Sequence, residues 1–382
     1  MSKILPKIWP QELHTKAKHL ILKAYFQSWL SIVGQKYQKI VYVDGFCGPG
    51  IYENNEPGSP ILVIKSAIDV LNKLNSTNNL RAGKVELYFF DSDKGRIEFL
   101  KNEFSKININ NSWLNVFIEE GEFENKVFPI VKDLQRERAL CGAINPSFFF
   151  VDPFGVTGFS LNIIGEIFKL NSSEIFLLFD IDGTDRILRA WGEKNEKIIL
   201  NLYGEPSREE LLKIKDLPDQ KQRLQELRNL FKISLRNQKV AGIIPFSMFD
   251  SSAKILYDLI FLTSIRTGFL KMKEAMWKVD DSGGFRFSDA DHGDQLRLKF
   301  LVNHEDNLWA ILMDKFHGQK VSGLDIKNFV CYETIYLEKH KTAVLKKHES
   351  DDKSKKDSII VSNRPRKYVY PEQASIQFPE QS

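Results

Sequence analysis

Residues 44–50, with the sequence Asp-Gly-Phe-Cys-Gly-Pro-Gly, place an acidic side chain and three glycines within seven positions. Glycine lets a backbone approach a ligand closely and adopt positive φ angles. The apolar run 39–43 before it is typical of a strand, and open α/β sheets bind ligands beyond the carboxyl ends of their strands. We therefore predict a nucleoside-cofactor pocket at this loop. Its predicted members are Asp44, Gly45, Phe46, Gly48 and Gly50.

Two other nucleotide-binding loops do not fit this spacing. The P-loop pattern G-x-x-x-x-G-K-[ST] is absent, and so is the G-x-G-x-x-G pattern of dinucleotide-binding turns. An ordinary turn between a strand and a helix is the alternative interpretation. It is the weaker one, because acidic turns also follow the next three predicted strands.

The first two of these acidic turns are candidates for holding a nucleoside. Asp91 and Asp93 follow the second strand, where a carboxylate can accept hydrogen bonds from both ribose hydroxyls. One of the two could instead cap the next helix. Glu120 and Glu122 follow the third strand, where a side chain could accept from an adenine amino group. A solvated turn is the alternative there.

The third acidic turn, residues 152–155, has the sequence Asp-Pro-Phe-Gly and follows the apolar run 148–151. A charged residue emerging from such a strand is placed at the ligand crevice, and a following proline favours an extended backbone. We predict that Asp152 orients or deprotonates an acceptor group and that Phe154 stacks on it. A helix-capping turn is the alternative.

The elements that must position these residues alternate between strands and helices. The predicted strands are 39–43, 85–90, 114–118, 147–151 and 174–179, and the helices between them are 59–74, 93–104, 125–138 and 161–170. Such alternation predicts an α/β fold with a doubly wound, mostly parallel sheet. An amphipathic helix at 14–33 precedes it. A helical stretch at 186–235 and antiparallel strands at 243–247 and 255–263 follow.

The C-terminal region has a different pattern. Short helices are predicted at 296–301, 308–316, 323–330 and 339–348, followed by a hairpin at 359–362 and 367–370. Helices followed by a two-stranded wing indicate a winged-helix-like domain. We therefore predict an N-terminal helical extension at 1–35, an α/β domain at 36–292 and a winged-helix-like domain at 293–378.

This C-terminal region is locally basic. Residues 336–370 contain ten Lys and Arg residues against five acids, although the whole chain carries a net charge of only +4. A winged helix uses such an excess to contact the phosphates of DNA or RNA. A solvated charge run or a protein-docking surface is the alternative. The predicted nucleic-acid contacts are Lys341, Lys346, Lys347, Arg364, Arg366 and Lys367.

The composition argues against several classes of protein, namely disulfide-rich, cysteine–metal, secreted and membrane proteins. The three cysteines are far apart, so neither a disulfide framework nor a cysteine metal site is expected. The first residues lack the apolar core of a signal peptide, and no run is long enough for a membrane span. We expect a cytoplasmic protein that does not insert into a membrane. Its oligomeric state is left open.

The order of these features resembles class I S-adenosylmethionine-dependent methyltransferases. Residues 44–50 are similar to the D/E-x-F-x-G-x-G cofactor motif, and residues 152–155 are similar to the D/N-P-P-Y/F motif of enzymes that methylate amines. The resemblance implies S-adenosylmethionine as cofactor, with Asp91 or Asp93 on its ribose and Glu122 on its adenine. Phe154 stands where that motif has its second proline, which makes an amine acceptor doubtful.

A second resemblance covers most of the chain. Residues 14–19, 43–52, 58–60, 152–155 and 268–277, with Tyr25 and Trp29, resemble the three-Cys-motif partner protein family. Members are bacterial and phage proteins with a methyltransferase-like domain, and are often encoded beside a protein with three cysteines. The resemblance implies a mobile-element or antiviral-defence context and a three-Cys-motif protein as partner.

Three functional hypotheses follow. The first is methyl transfer to a nucleic acid, with the basic residues His14, Lys16, Lys18 and His19 near the mouth of the crevice. The second is a non-catalytic partner or regulatory subunit of a neighbouring protein. The third is a metal-dependent nuclease that uses the carboxylates of the acidic turns, although no metal-binding motif has the required spacing.

Overall fold

The computed structural model describes residues 9–109, 111–280, 286–288, 303–350 and 358–380. The chain divides into two compact units. The first contains the described residues up to 279 together with 286–288, and the second contains residue 280 and the described residues from 303 onward.

The first unit is built on one eight-stranded sheet. Its strands are β1 (Lys39–Asp44), β2 (Lys84–Asp91), β3 (Leu114–Glu120), β4 (Ser147–Val151), β5 (Ser173–Phe179), β6 (Gly242–Phe249), β7 (Ile255–Thr263) and β8 (Arg286–Ser288). They lie in the order β3-β2-β1-β4-β5-β7-β6-β8. The first five strands of this order, β3, β2, β1, β4 and β5, are parallel to one another. Strand β7 is antiparallel to both of its neighbours, β5 and β6. The predicted doubly wound, mostly parallel α/β sheet is confirmed.

The described residues of the first unit also form ten α-helices, which follow or precede these strands. They are α1 (Leu13–Val33), α2 (Ser59–Ser76), α3 (Lys94–Ser105), α4 (Phe123–Cys141), α5 (Leu161–Phe168), α6 (Ile181–Arg189), α7 (Glu193–Tyr203), α8 (Arg208–Lys215), α9 (Gln220–Asn237) and α10 (Arg266–Trp277). A short 3-10 turn at Glu205–Ser207 joins α7 to α8. The helical stretch predicted at 186–235 is confirmed as parts of α6 to α9.

The sheet reverses its winding beside β1. Chain order runs outward from β1 through β2 to β3 on one side and through β4 to β5 on the other. Such a reversal opens a crevice at the carboxyl ends of the two central strands. Residues 148–150 of β4 are three fully buried phenylalanines, as expected for a strand covered on both faces. The fold therefore places the ends of β1 and β4 together where a ligand can enter.

Helix α1 is part of the core of the first unit. It contacts α2 and α10, and its Tyr25 and Phe26 side chains are fully buried. The Phe26 ring lies 5.1 Å from that of Tyr42 on β1, and the Tyr25 ring lies 5.1 Å from that of Phe148 on β4. The segment predicted as an N-terminal extension thus packs on the two strands that form the crevice.

Helix α2 begins at Ser59, the first residue of the range predicted for it, and Gly58 holds the cap position. A Cβ atom at position 58 would lie 3.0 Å from the backbone of Gly50. Close packing against the glycine loop therefore sets the start of this helix.

The second unit contains three α-helices and a small sheet within its described residues. Its elements are α11 (His304–Phe316), β9 (Lys320–Ser322), α12 (Gly323–Asn328), a π turn (Phe329–Glu333), α13 (Glu338–His348), β10 (Ile360–Ser362) and β11 (Ser375–Gln377). The three strands pair antiparallel in the order β10-β11-β9. The winged-helix assignment stays a prediction. The helix predicted at 296–301 lies outside the described residues.

The second strand of the predicted hairpin is in a different place. It was expected at residues 367–370, but β10 pairs with β11 at Ser375–Gln377. Tyr368 has a positive φ of 62°, which lies outside the extended region that strand residues adopt. This turn of the backbone interrupts any strand at 367–370, so the stretch belongs to the connection between β10 and β11.

In the part of the chain that the structure describes, no helix combines the length and the apolar character of a membrane span. All three cysteines are free thiols.

Candidate functional site

A cavity of about 510 Å³ lies in the first unit at the carboxyl ends of β1, β4 and β5. This volume is within the range of small-molecule sites. The loop after β1 (48–52), the turn after β4 (152–155) and Asp180 after β5 line it, and residues from the first turns of α1 also contribute. We refer to it as the large cavity. It occupies the crevice that the sheet order predicts.

A second, smaller cavity of about 40 Å³ adjoins the ends of β2 and β3. Asp91, Arg96, Glu122 and Phe123 are among its lining residues. Phe46 and Phe154 line both cavities. The structure therefore brings all four predicted acidic or glycine-containing turns to one edge of the sheet.

The glycines of the loop have different roles. Gly45 leaves no room for a side chain, because a Cβ atom there would overlap the ring of Phe123. Gly50 has a φ of +84°, and a Cβ atom there would overlap Leu100. Gly48 has a φ of +61°, but the nearest atom to its Cβ position is 3.8 Å away, in Trp9. Gly45 and Gly50 are thus required for packing, whereas Gly48 leaves space at the large cavity.

Asp44 lies beneath the loop and lines neither cavity. Its side chain is fully buried, and its Oδ1 atom accepts a hydrogen bond of 3.3 Å from the Phe46 amide. Its Oδ2 atom has no hydrogen-bond partner that meets the usual geometry among the described residues. Burial raises the pKa of Asp44 to about 7, and the charge of Asp152 adds to the rise, although the nearby Ser59 hydroxyl and the Phe46 amide oppose it. A buried carboxyl with an unsatisfied oxygen is a group that a cationic ligand would stabilise.

Asp91 holds the loop in place. Its Oδ2 atom accepts a hydrogen bond of 3.0 Å from the Gly48 amide, and its Oδ1 atom accepts one of 2.8 Å from the Asp93 amide. Arg96 lies 3.6 Å from Oδ2. Asp93 itself is exposed and caps α3 by accepting from the Arg96 amide. Of the two candidate ribose ligands, the structure places Asp91 in a cavity wall and Asp93 at a helix cap.

The two glutamates at the end of β3 and just after it, Glu120 and Glu122, lie in different surroundings. Glu122 is exposed and lines the small cavity, next to the buried ring of Phe123. Phe123 packs against Phe46 with a distance of 5.4 Å between ring centroids. Glu120 is exposed and lines neither cavity. The position predicted for an adenine-side acid is therefore occupied by Glu122.

Asp152 forms an ion pair with Lys18 inside the large cavity. The Lys18 ammonium donates to Asp152 Oδ2, and the two residues are 134 positions apart in the chain. The Lys18 side chain is only 7% exposed, and its ammonium lies 5.9 Å from the centre of the Tyr257 ring. A charge this deeply buried is held by its partner. The predicted acceptor-binding carboxylate thus already has one oxygen occupied.

Phe154 belongs to a cluster at the border of the two cavities. It is 69% exposed, and its ring meets Trp9 edge to face at 6.2 Å. The Arg96 guanidinium lies 5.2 Å from the Phe154 ring centre and 5.3 Å from that of Trp9. Flat groups of this kind can stack on a planar ligand. The placement fits the stacking role predicted for Phe154.

The basic residues of α1 reach the large cavity in part. His14, Lys18 and His19 line it, whereas Lys16 is exposed and does not. Burial and the charge of Lys18 lower the pKa of His19 to about 3, so its ring is neutral near pH 7. His19 therefore adds a polar, uncharged group to the wall.

Several lining residues were not predicted as site residues. They are Trp9, Asp180, Asp182, Arg186, Lys254 and Tyr257. Asp182 lies 3.6 Å from Arg186 and 3.4 Å from Lys254. Asp180 could have been predicted from the sequence, because it follows the apolar strand β5 as Asp152 follows β4. Lys254 and Tyr257 come from the antiparallel part of the sheet, and no local pattern marked them.

The six predicted nucleic-acid contacts all lie in the second unit, and they differ in burial and in ion pairing. Lys341 is 3% exposed, so its burial argues against a phosphate contact. Arg364 donates two hydrogen bonds to Glu349, of 2.7 and 2.5 Å, and Lys347 pairs with Asp306 at 2.7 Å. The other three basic residues are exposed, and they lie on α13 or in the connection between β10 and β11. They are Lys346, Arg366 and Lys367.

An exposed tyrosine accompanies these three cations. Tyr368 is 42% exposed, and the ammonium groups of Lys346 and Lys367 each lie 5.4 Å from its ring centre. We call Lys346, Arg366, Lys367 and Tyr368 the wing patch.

The carboxylates proposed for a nuclease do not form a metal site in this structure. Among the described residues, no group of three or more His, Cys, Asp or Glu side chains is arranged to hold a metal ion.

No protein-family model matches the chain, and no curated protein matches its sequence. Among solved structures it is similar to Trm1 from Pyrococcus horikoshii in complex with S-adenosyl-L-methionine, with 12% identity and a TM-score of 0.32 over 69% of this chain. It spans 58% of that protein. It is also similar to the plantazolicin methyltransferase BamL in complex with SAH, with 15% identity and a TM-score of 0.26, over 66% of this chain and 86% of BamL.

A third similar structure is a putative sarcosine dimethylglycine methyltransferase from Galdieria sulphuraria, with 11% identity and a TM-score of 0.26 over 64% of this chain and 85% of that one. The resemblance to the three-Cys-motif partner family stays a prediction.

Proposed function

We propose that the chain binds S-adenosylmethionine and transfers its methyl group to a nucleic acid. The observation that carries this proposal is the pair of adjoining cavities at the switch point of the sheet. Asp91 and Glu122 line the smaller one, and Asp152 lines the larger one. A nucleoside and an acceptor group could therefore meet at Phe46 and Phe154, which line both.

The residues present fit this cofactor. Gly48 leaves space where a side chain would protrude, and Asp91 has carboxylate lone pairs for ribose hydroxyls in addition to the amides it binds. The cofactor carries positive charge on sulfur, and the unsatisfied Oδ2 atom of Asp44 lies beneath the loop. Because the pKa of Asp44 is about 7, a nearby cation would favour its ionised form.

When bound, the cofactor would supply an activated methyl group. The protein would contribute position and charge. Phe46 and Phe154 would position the nucleoside beside the acceptor, and Asp152 would accept a hydrogen bond from the acceptor through Oδ1, since Oδ2 is bound to Lys18. Holding both reactants in one walled cavity lowers the entropic part of the barrier.

The nucleic-acid part of the proposal rests on the wing patch. Its cations are exposed, and Tyr368 presents its ring to solvent beside them. Phosphates bind cations, and bases stack on exposed aromatic rings at about 1–3 kcal/mol each. Both chemistries occur within residues 366–368, and the Lys346 ammonium of α13 lies 5.4 Å from the centre of the same tyrosine ring.

Replacing Asp91 by asparagine tests the cofactor site. We expect the affinity for S-adenosylmethionine to fall by roughly 10- to 100-fold, because charge-assisted hydrogen bonds to ribose are lost and one oxygen holding the loop becomes an amino group. Isothermal titration calorimetry measures this directly. Glu120→Gln is the matched control, since Glu120 ends the neighbouring strand β3 as Asp91 ends β2, but lines neither cavity. Equal affinities for the two variants, or no binding by the wild type, would refute the site.

Replacing Lys346, Arg366 and Lys367 together by alanine tests the wing patch. Binding to a single-stranded RNA 20-mer, followed by fluorescence anisotropy, should weaken, and the slope of log K against log salt should fall by about 2. The control removes three exposed lysines of the first unit, Lys194, Lys213 and Lys221. If both triple variants change the slope equally, only net charge matters and the patch is not a specific site.

A further inference from the structure

The Lys18–Asp152 pair limits which chemical group can serve as acceptor. Lys18 offers only donors and Asp152, when ionised, offers only acceptors. Both side chains line the large cavity, and they are bonded to each other there. A group that satisfies both must accept from the ammonium and donate to the carboxylate at the same time.

A hydroxyl group meets this requirement, since it has one proton to donate and two lone pairs to accept with. The exocyclic amino group of a base has only donors, so a neighbouring ring nitrogen of the base would have to accept from Lys18. Lys18 would then contact an atom other than the one that reacts, whereas a hydroxyl accepts from Lys18 through the reacting oxygen itself, where negative charge develops. The pair therefore selects for oxygen over an amino nitrogen.

The rim of the cavity suits a nucleotide that carries this hydroxyl. Arg186 and Lys254 line it with side chains that are 70% and 61% exposed. Such cations can contact the phosphates on either side of a nucleotide. Internal residues of DNA have no free hydroxyl, whereas every RNA residue has the 2′-hydroxyl, which both donates and accepts.

We propose that the acceptor atom is the 2′-hydroxyl oxygen of RNA, and that Lys18 and Asp152 are the catalytic residues that hold it. This inference rests on the proposed function. In the transfer, the hydroxyl oxygen forms a bond to the methyl carbon as the carbon–sulfur bond breaks, and the bonding pair stays on sulfur. The hydroxyl proton passes to the Asp152 carboxylate. The Lys18 ammonium keeps its charge and stabilises the negative charge that develops on the acceptor oxygen.

The test offers the full-length chain S-adenosylmethionine with three probes of random sequence: an RNA 40-mer pool, the matching DNA pool and the RNA pool with 2′-O-methyl groups throughout. Products are digested to nucleosides and identified by mass spectrometry. We expect 2′-O-methyl nucleosides from the RNA pool and no transfer to the other two. Methylated bases, methylated DNA, or bound cofactor without transfer to RNA would overturn the inference.

Variants separate the role of Lys18 from a structural one. Lys18→Met should lower kcat on the RNA pool by roughly 100- to 1000-fold, the usual scale for removing one donor that stabilises a developing oxyanion, with little change in cofactor affinity. Lys18→Arg keeps the charge and should recover part of the rate. Lys16→Met is the control on the same helix, because Lys16 is exposed and does not line the cavity. Equal rates for the two methionine variants would contradict the role of Lys18.

The failure of this inference is distinguishable from failure of the proposed function. If calorimetry shows no cofactor binding by the wild type, the proposed function is wrong. If the cofactor binds and the methyl group appears on a base, the proposed function stands and the hydroxyl acceptor is wrong.

Discussion

Replacing Arg223 by alanine is expected to lower the free energy of unfolding of the first unit by about 3 kcal/mol. Arg223 of α9 donates two hydrogen bonds to Asp185 of α6, of 2.7 and 3.1 Å, and both side chains are at most 5% exposed. Removing the guanidinium leaves a buried carboxylate without its partner. Two backbone carbonyls, those of Leu217 and Pro218, also lose their donor.

This pair matters for the site because of where α6 begins. Asp180 and Asp182, which line the large cavity, lie at the start of that helix, and Asp180 caps it by accepting from the Gly183 amide at 2.7 Å. The buried pair fixes α6 against α9 one turn further along. Loss of stability should therefore be accompanied by a looser cavity wall.

Urea unfolding followed by circular dichroism measures the effect through the midpoint concentration. The control is Arg208→Ala, which removes an exposed ion pair of 2.6 Å with Glu196. That pair should contribute less than about 1 kcal/mol, because solvent screens it. If the two variants unfold at the same urea concentration, the buried pair contributes no more than the exposed one.

Local patterns in the sequence were sufficient to place one side of the site. Strand-length apolar runs end at Asp44, Asp91 and Asp152, and the structure ends β1 and β2 at the first two of these and ends β4 one residue before Asp152. In a parallel sheet the carboxyl ends of strands share one edge, so acids that follow strands must gather there. The predicted cofactor turns could thus be located without knowing any long-range contact.

The other side of the site depends on contacts that no local pattern encodes. Lys18 reaches Asp152 because α1 packs across β1 and β4, and that packing follows from large aromatic side chains rather than from a motif. Arg96 has the sequence context of an ordinary helical residue, yet its guanidinium contacts the rings of both Trp9 and Phe154. Such residues could be found only once the packing of the helices on the sheet was known.

Very short elements were also missed. Strands β8 and β9 have three residues each and contain charged or polar side chains, so neither alternation nor an apolar run marks them. Strand β8 forms by pairing with the eight-residue strand β6, and β9 forms by pairing with β11. Tertiary context overrides weak local preference in such cases.

Glu174 is a buried carboxyl that lines neither cavity, and we expect it to make the stability of the first unit depend strongly on pH. Glu174 of β5 is 1% exposed and accepts hydrogen bonds from Tyr25 at 2.6 Å and from Thr263 at 2.8 Å. Gly268 of α10 makes room for it, since a Cβ atom there would overlap the carboxylate. Helix α1 and strands β5 and β7 therefore meet at this one side chain.

Burial raises the pKa of Glu174 from 4.5 to about 7, although its two hydrogen bonds oppose the rise. Since the pKa is higher in the folded state, the folded chain binds more protons than the unfolded chain between pH 4.5 and 7. Stability from this group is therefore complete below pH 4.5 and is lost as the pH rises to about 7. At 1.36 kcal/mol for each pKa unit, the loss is about 3 kcal/mol.

Glu174→Gln should remove this dependence, because the amide cannot ionise and its oxygen can still accept a hydrogen bond. We expect the stability of the variant relative to wild type to increase by about 3 kcal/mol between pH 5 and pH 8. Urea midpoints at the two pH values measure this, and comparison with wild type cancels the contribution of Asp44, whose pKa is raised in the same direction. Glu98→Gln, at an exposed position of α3, should show no such change. The prediction is contradicted if the free energies of unfolding of Glu174→Gln and wild type differ by the same amount at both pH values. That result would mean that the Glu174 carboxyl is ionised in the folded chain throughout this range and that Tyr25 and Thr263 stabilise its charge more than burial penalises it.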